Sequence, residues 1–250
     1  MTDTSLVNEL KAASPQISVG ILTANLMSLG SELELIENAG VKMVHFDTMD
    51  GCFCPMTTIG PPLIKAVKTS MLKDVHLMIE NPLDKLEDYV AAGADMITVH
   101  VESDRYIHRA LQVLGQMTNV NDAKRGILRG VALNPGTPVD IIAPLIDELE
   151  MVFLLAINPG WGGQKFIPFT RNKLARLREI IENSGKDVLI GLDGGVTRNN
   201  ISEIAGIGAD IIVTGSAVFD GKAPAENAKF MLEAVSIHSD IKRKYYYEKK

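Results

Sequence analysis

The sequence predicts an α/β fold, a single (β/α)8 TIM barrel. Eight short apolar runs of strand length alternate with helix-like segments, the pattern of parallel strands joined by right-handed crossovers. One punctuation recurs where helices stop: Asn38-Ala39-Gly40-Val41, Ala92-Gly93-Ala94-Asp95 and Ile207-Gly208-Ala209-Asp210. Each places glycine where a left-handed residue costs little. The eight units fit into about 220 residues, the scale of this barrel. The competing architecture, an open doubly wound sheet, has about five to seven strands and one Gly-rich turn early in the chain.

Residues 1–16 read as a leading helix or arm that ends near Pro15, and residues 17–238 as the barrel. The first strand is expected over 17–22, an apolar run. A helical pattern with Leu29, Leu33, Leu35 and Ile36 follows and stops at Ala39-Gly40. The second strand is expected over 41–47, a helix near 62–69, and the third strand over 73–78. The remaining strands are expected over 96–101, 129–133, 151–157, 187–192 and 209–214, with helical patterns between each pair. Residues 239–250 form a basic, Tyr-rich tail that includes Lys242-Arg243-Lys244-Tyr245-Tyr246-Tyr247; a solvated extension is expected in preference to a partner-binding segment.

Composition narrows the function classes. With 250 residues, 46 % of them hydrophobic, the chain can bury a large core. A formal net charge of −6 argues against a nucleic-acid partner, since such domains carry a basic face. No apolar run reaches the roughly 18 residues of a membrane span. The first fifteen residues lack the apolar core of a signal peptide. Cys52 and Cys54 are too close in sequence for an unstrained mutual disulfide, so a cytoplasmic protein is expected.

Polar residues interrupt the apolar strands at one end. In Val44-His45-Phe46-Asp47-Thr48-Met49, alternation puts His45, Asp47 and Met49 on one face. His76 lies towards the end of the third strand and Asp193 ends the seventh. Barrels of this class carry their active sites at the C-terminal ends of the strands. A lone histidine there is commonly a hydrogen-bonded core residue, and a lone Asp-Gly a turn. Two imidazoles and two carboxylates on three strands of one rim instead predict a site for one divalent transition metal held by His45, Asp47, His76 and Asp193. His100 faces the same rim and is read as a packing or outer residue that supports the ligands. His108 and His238 are read as surface residues on helical stretches.

A second cluster is rich in glycine. Asn158-Pro159-Gly160-Trp161-Gly162-Gly163-Gln164 follows strand six, Gly194-Gly195 strand seven, and Gly215-Ser216 strand eight. Glycine lets backbone N–H groups approach an anion, and this region of the barrel commonly holds a phosphate. The alternative is a set of tight turns alone.

These motifs resemble those of the ribulose-5-phosphate 3-epimerase family, a group of ribulose-phosphate-binding (β/α)8 barrels. The resemblance runs through His45-Phe46-Asp47-Thr48-Met49-Asp50-Gly51, Thr58-Ile59-Gly60-Pro61-Pro62 and Asp74-Val75-His76-Leu77-Met78. It continues through Asn158 to Pro168, Asp193-Gly194-Gly195-Val196 and Thr214 to Phe219, and covers roughly residues 17 to 235. It implies a metal-dependent isomerase of carbohydrate metabolism that epimerises a ketose phosphate at C3, D-ribulose 5-phosphate to D-xylulose 5-phosphate, in the pentose phosphate pathway. It implies metal at His45, Asp47, His76 and Asp193, with Zn, Fe(II), Mn and Co all suited to the donor set. It implies that Asp47 and Asp193 are the two acid/bases around an enediolate. Substrate and its phosphate are then expected at His76, Gly160, Trp161, Gly162, Gly163, Gly194, Gly195, Gly215 and Ser216, with Met49 and Met78 as an apolar wall. A homo-oligomer is also expected.

The chain departs from the family pattern at substrate-facing positions. Gly20 stands where the family usually has serine. Cys52, Cys54 and Met56 stand in place of histidine, valine and asparagine, and Leu155 in place of methionine. Two alternatives follow: 3-epimerisation of another ketose phosphate, or a barrel that binds a sugar phosphate without turnover.

Overall fold

The computed structural model describes residues 4–238. The expected tail over 239–250 lies outside the described residues. Eight strands, β1 (Gln16–Gly20), β2 (Met43–Met49), β3 (Leu72–Met78), β4 (Met96–His100), β5 (Leu128–Leu133), β6 (Met151–Leu155), β7 (Leu189–Asp193) and β8 (Ile211–Thr214), close into one barrel. Every neighbouring pair is parallel, and β8 returns to β1 through Gln16↔Ile211 to Val19↔Thr214. The barrel expected from the alternation of strands and helices is the fold observed. Among the described residues no helix is long and apolar enough to cross a membrane.

The strands are buried on both faces, which is why they read as nearly continuous apolar runs. Outward residues such as Val44, Phe46, Val75 and Leu77 join the helix layer in one large cluster. That layer comprises α2 (Leu29–Asn38), α3 (Pro61–Ala66), α4 (Leu86–Ala91), α5 (Ile107–Leu114), α6 (Thr170–Ser184), α7 (Ile201–Gly206) and α8 (Pro224–Ser236). Inward residues Met43, Met96, Leu128, Met151, Leu189 and Ile211, each the first of its strand, form a separate cluster.

The N-terminal segment does more than lead into β1. Helix α1 (Thr4–Ala12) packs Leu6, Val7 and Leu10 onto that ring of strand-start residues. It therefore closes the mouth opposite the expected site, and each buried side chain of this size contributes about 1.5–3 kcal/mol.

Several expected boundaries shift. Ile21 and Leu22 leave β1 for a 3-10 turn over Ile21–Thr23, closed by the Ala24 N–H to the Ile21 carbonyl. Val41 precedes β2, because its N–H donates back to the Ile36 carbonyl around Gly40 at φ +105°. Asp187 and Ala209 precede β7 and β8, whereas Val101, Ala156 and Ile157 lie past β4 and β6. The helix expected over 62–69 is Pro61–Ala66. Between β5 and β6 the chain forms a 3-10 segment, Val139–Glu148, in place of an α-helix; Pro144 inside it removes a backbone donor. His108 is exposed on α5, and His238 lies just past α8.

Candidate functional site

Alternation on β2 turns Met43, His45, Asp47 and Met49 into the barrel, and on β3 it turns Asp74, His76 and Met78 inward. The β2–β3 register then sets His45 beside Asp74 and Asp47 beside His76. Asp193 closes β7 at the same end. The four side chains converge: one donor atom of each of His45, Asp47, His76 and Asp193 lies within 4.8 Å of all the others. His45 Nε2 is 3.2 Å from Asp47 Oδ1. His76 Nδ1 is 3.4 Å from Asp47 Oδ1 and 3.7 Å from Asp193 Oδ2.

This group could hold a metal ion, and an orphan atom supports the fit. His76 Nδ1 is buried and makes no hydrogen bond, although it faces two carboxylates. An unpartnered ring nitrogen that faces two carboxylates is an arrangement that suits a cation between them. Two imidazole nitrogens and two carboxylate oxygens suit zinc, iron(II), manganese or cobalt.

Each imidazole is anchored from behind. His45 Nδ1 is 2.7 Å from Asp74 Oδ2, which also accepts the Ser18 hydroxyl at 2.9 Å. His76 Nε2 meets His100 Nε2 at 2.9 Å. Beneath both rings lies Phe153, with centroid distances of 6.1 Å to His45 and 6.3 Å to His76. Phe153 occupies this place because β7 has Gly191 opposite: a Cβ there would stand 2.4 Å from the ring.

Burial and charge separate the two carboxylates. Burial works against the Asp47 anion, but His45 and His76 outweigh it and hold its pKa well below the usual range. Burial, and then the negative charge of Asp47, push Asp193 up to about 6. His45 is driven down by burial, yet Asp74 and Asp47 prevail and raise it well above its ordinary value. Burial lowers His100 to about 4. The two environments therefore push the two carboxylate pKa values apart, Asp47 down and Asp193 up towards neutral pH.

Above the cluster opens a cavity of about 950 Å³ lined by Asp47, Asp193, Met49, Met78 and all three glycine-rich loops. Every expected loop residue lines it: Gly160, Trp161, Gly162, Gly163, Gly194, Gly195, Gly215 and Ser216. His45 and His76 lie beneath, almost fully buried. Met49 and Met78 meet with Cys54, Leu22 and Phe53 in an apolar patch at the rim. Gly195, at φ +69°, approaches the Phe166 backbone so closely that a Cβ would stand 2.4 Å from its nitrogen. Only glycine permits this crossing of the loops after β6 and β7. The first of these loops is tied by Gln164, whose amide donates to the Asn158 and Trp161 carbonyls at 2.6 and 2.8 Å.

A profile of the Ribulose-phosphate 3 epimerase family matches residues 16–219. The chain belongs to this family. A ribulose-phosphate 3-epimerase of Bacillus subtilis is 39 % identical over 207 residues, covering 82 % of this chain and 92 % of the relative. One of Escherichia coli K12 is 40 % identical over 208 residues, covering 82 % and 88 %. A chloroplastic ribulose-5-phosphate-3-epimerase of Arabidopsis thaliana is 39 % identical over 228 residues, covering 90 % and 79 %. The solved 3-hexulose-6-phosphate synthase of Salmonella typhimurium superposes with a TM-score of 0.65 at 16 % identity, covering 89 % of this chain and 99 % of that one, and shares the fold.

Within this family member, three of the five departures noted above, Gly20, Met56 and Leu155, line the cavity. Cys52 is exposed and Cys54 is buried, both as free thiols. Cys54 supports Gly160, where a Cβ would stand 2.9 Å from Cys54 Cβ. Asp50 orders this loop: its carboxylate accepts the Cys52, Phe53 and Glu80 N–H groups. Sequence reasoning gave no role to Asp74, Ser18, Glu102 or Phe153. Asp74 and Glu102 had a usable signal, since each lies two residues from an inward histidine on the same strand or its continuation.

Proposed function

We propose that this family member is a metal-dependent 3-epimerase of a ketose phosphate that interconverts D-ribulose 5-phosphate and D-xylulose 5-phosphate. The observation that carries the reading is the joint placement of Asp47 and Asp193 in the cavity wall, within ligand distance of two buried imidazoles. His45, Asp47, His76 and Asp193 would hold one divalent ion, Zn, Fe(II), Mn or Co. When bound there, such an ion supplies positive charge that offsets the anion formed when a proton leaves the carbon beside a ketone.

The remaining chemistry falls to the chain. One carboxylate removes the proton from C3 on one face of the sugar, and an enediolate forms. The other carboxylate returns a proton to C3 from the opposite face, so the centre inverts and no redox cofactor is consumed. Asp47 and Asp193 suit these roles because they project from β2 and β7, with β1 and β8 between them. They exchange roles with the direction of reaction. Backbone N–H groups near Gly195, Gly215 and Ser216 hold the phosphate, and Gly162 and Gly163 cover it. Met49 and Met78 limit water access to the reacting carbon. The free thiols Cys52 and Cys54 suit a cytoplasmic location. Self-association, the remaining expectation from the resemblance, is read by light scattering.

A second reading, 3-epimerisation of a different ketose phosphate, is favoured by Gly20. A Cβ there would meet only Asp47 Oδ2 and Gly215 Cα, both at 3.8 Å, so the chain leaves space between the carboxylate and the phosphate loop. A coupled assay on a panel of ketose phosphates with metal-loaded enzyme tests both. Highest kcat/KM on ribulose 5-phosphate supports the first reading, and preference for another member supports the second. Binding without turnover of any member refutes epimerase function.

A further inference from the structure

The two imidazoles are anchored differently. His45 leans on the Asp74 carboxylate directly. His76 reaches a carboxylate only through a second imidazole. Its Nε2 lies 2.9 Å from His100 Nε2, and the two rings meet edge to edge, with centroids 5.0 Å apart and planes inclined by 19°. His100, fully buried, places Nδ1 3.1 Å from Glu102 Oε2. Glu102 Oε1 accepts the Asn134 backbone N–H at 2.9 Å and also the Thr137 hydroxyl. A continuous chain of polar atoms thus runs from the proposed metal position to Glu102, whose side chain is 24 % exposed.

We propose that His100 and Glu102 are positioning residues that set the tautomer of His76. The inference rests on the metal reading above. The polarity of the chain is dictated from its outer end. The Asn134 N–H can only donate, and a carboxylate can only accept. His100 therefore carries its proton on Nδ1 and offers Glu102 a donor. That leaves His100 Nε2 bare, so the short contact with His76 requires the proton on His76 Nε2. His76 Nδ1 is then left with a lone pair, and this is the buried nitrogen that makes no hydrogen bond and faces Asp47 and Asp193. Outer partners that fix the tautomer of a ligating histidine commonly set its affinity for the ion.

Glu102→Gln reverses the argument at one atom. The new amide keeps its oxygen towards the Asn134 N–H, because a donor cannot face a donor. Its NH2 then points at His100 Nδ1, which must become bare. The proton moves to His100 Nε2 and requires a bare His76 Nε2. The His76 proton is displaced onto Nδ1, where the ion belongs. Thr137→Val is the control, since it removes a hydrogen bond from the other oxygen of Glu102 without changing any polarity.

Two measurements test this on the full-length protein with Zn(II) as the probe. Long-range 1H–15N correlations of the Zn(II)-loaded wild type should show His100 protonated on Nδ1 and His76 on Nε2. His100 protonated on Nε2 overturns the proposal. Chelator competition should show Glu102→Gln weakened about 10–100-fold for Zn(II), the usual cost of losing such a partner, with Thr137→Val close to wild type. Equal affinity in Glu102→Gln and wild type overturns the tautomer role alone. An equal loss in both variants overturns it in favour of loop packing. A wild type that binds no divalent ion overturns the metal reading together with this one.

Discussion

Replacing Asp193 by asparagine removes a base while keeping the shape of the side chain. Burial and the nearby Asp47 raise the Asp193 pKa to about 6, close to the pH at which a general base is most effective. Asp47 projects from β2, with β1 and β8 between it and β7, so it serves the other face of C3 and does not replace the lost base. Removal of a general acid–base group costs about 10²–10⁴-fold in rate, or about 2.7–5.4 kcal/mol in the barrier. kcat of Asp193→Asn should fall by at least this factor. His45, Asp47 and His76 remain as donors, so metal content is measured in each preparation and rates are compared per bound ion. Exchange in D2O adds a separate readout. Wild-type product formed in a single turnover should carry deuterium at C3, because one carboxylate takes the proton and the other delivers one from solvent. With two bases, metal-loaded Asp193→Asn should still wash solvent deuterium into one epimer and fail with the other, and Asp47→Asn should show the opposite choice. Full activity in metal-loaded Asp193→Asn, or wild-type product that keeps its original C3 hydrogen, would refute the two-base reasoning.

Gly215→Ala places a methyl 3.1 Å from the Gly20 carbonyl oxygen and 3.3 Å from Thr23 Oγ1. KM for the phosphorylated sugar should rise, and an unchanged KM would put the phosphate elsewhere. Gly20→Ser adds a side chain at ordinary contact distance from Asp47, so thermal stability should be retained while the ratio of kcat/KM between ketose phosphates changes. Gly191→Ala forces a methyl into the Phe153 ring and should cost about 1–3 kcal/mol in denaturant unfolding, the usual range for overpacking. Metal affinity should depend on pH with a definite sign. Asp193, raised to about 6, and His45, raised well above its ordinary value, must release protons before they can act as ligands. Affinity should therefore fall as pH drops, by about tenfold per pH unit for each proton displaced. A chelator competition that is flat with pH would contradict this.

The convergence of His45, Asp47, His76 and Asp193 was legible in the sequence because their placement follows from a local rule. A strand alternates its side chains with period two, so His45 and Asp47 had to share a face, and barrel closure brought His76 and Asp193 to the same end. The three glycine-rich loops were legible for a similar reason: their position after the last three strands places them around one mouth. The helical punctuation at Gly40, Gly93 and Gly208 is equally local, and each of these glycines has positive φ.

Other features depended on contacts between distant segments. An amphipathic stretch before Pro15 fits an exposed arm as well as a plug; only the ring of inward residues at the strand starts, assembled from six strands, decides for the plug. Pro144 alone could have ended or kinked a helix, and its neighbours instead settled into a 3-10 path between β5 and β6. Phe153 sits under the two histidines because β6 and β7 are registered with Phe153 opposite Gly191. The direction of the proton chain through His76 and His100 depends on an amide at Asn134, 32 residues from the Glu102 that it meets. Alternation determines which way a side chain faces. Register and barrel closure determine what it meets there, and these follow from the packing of the whole chain.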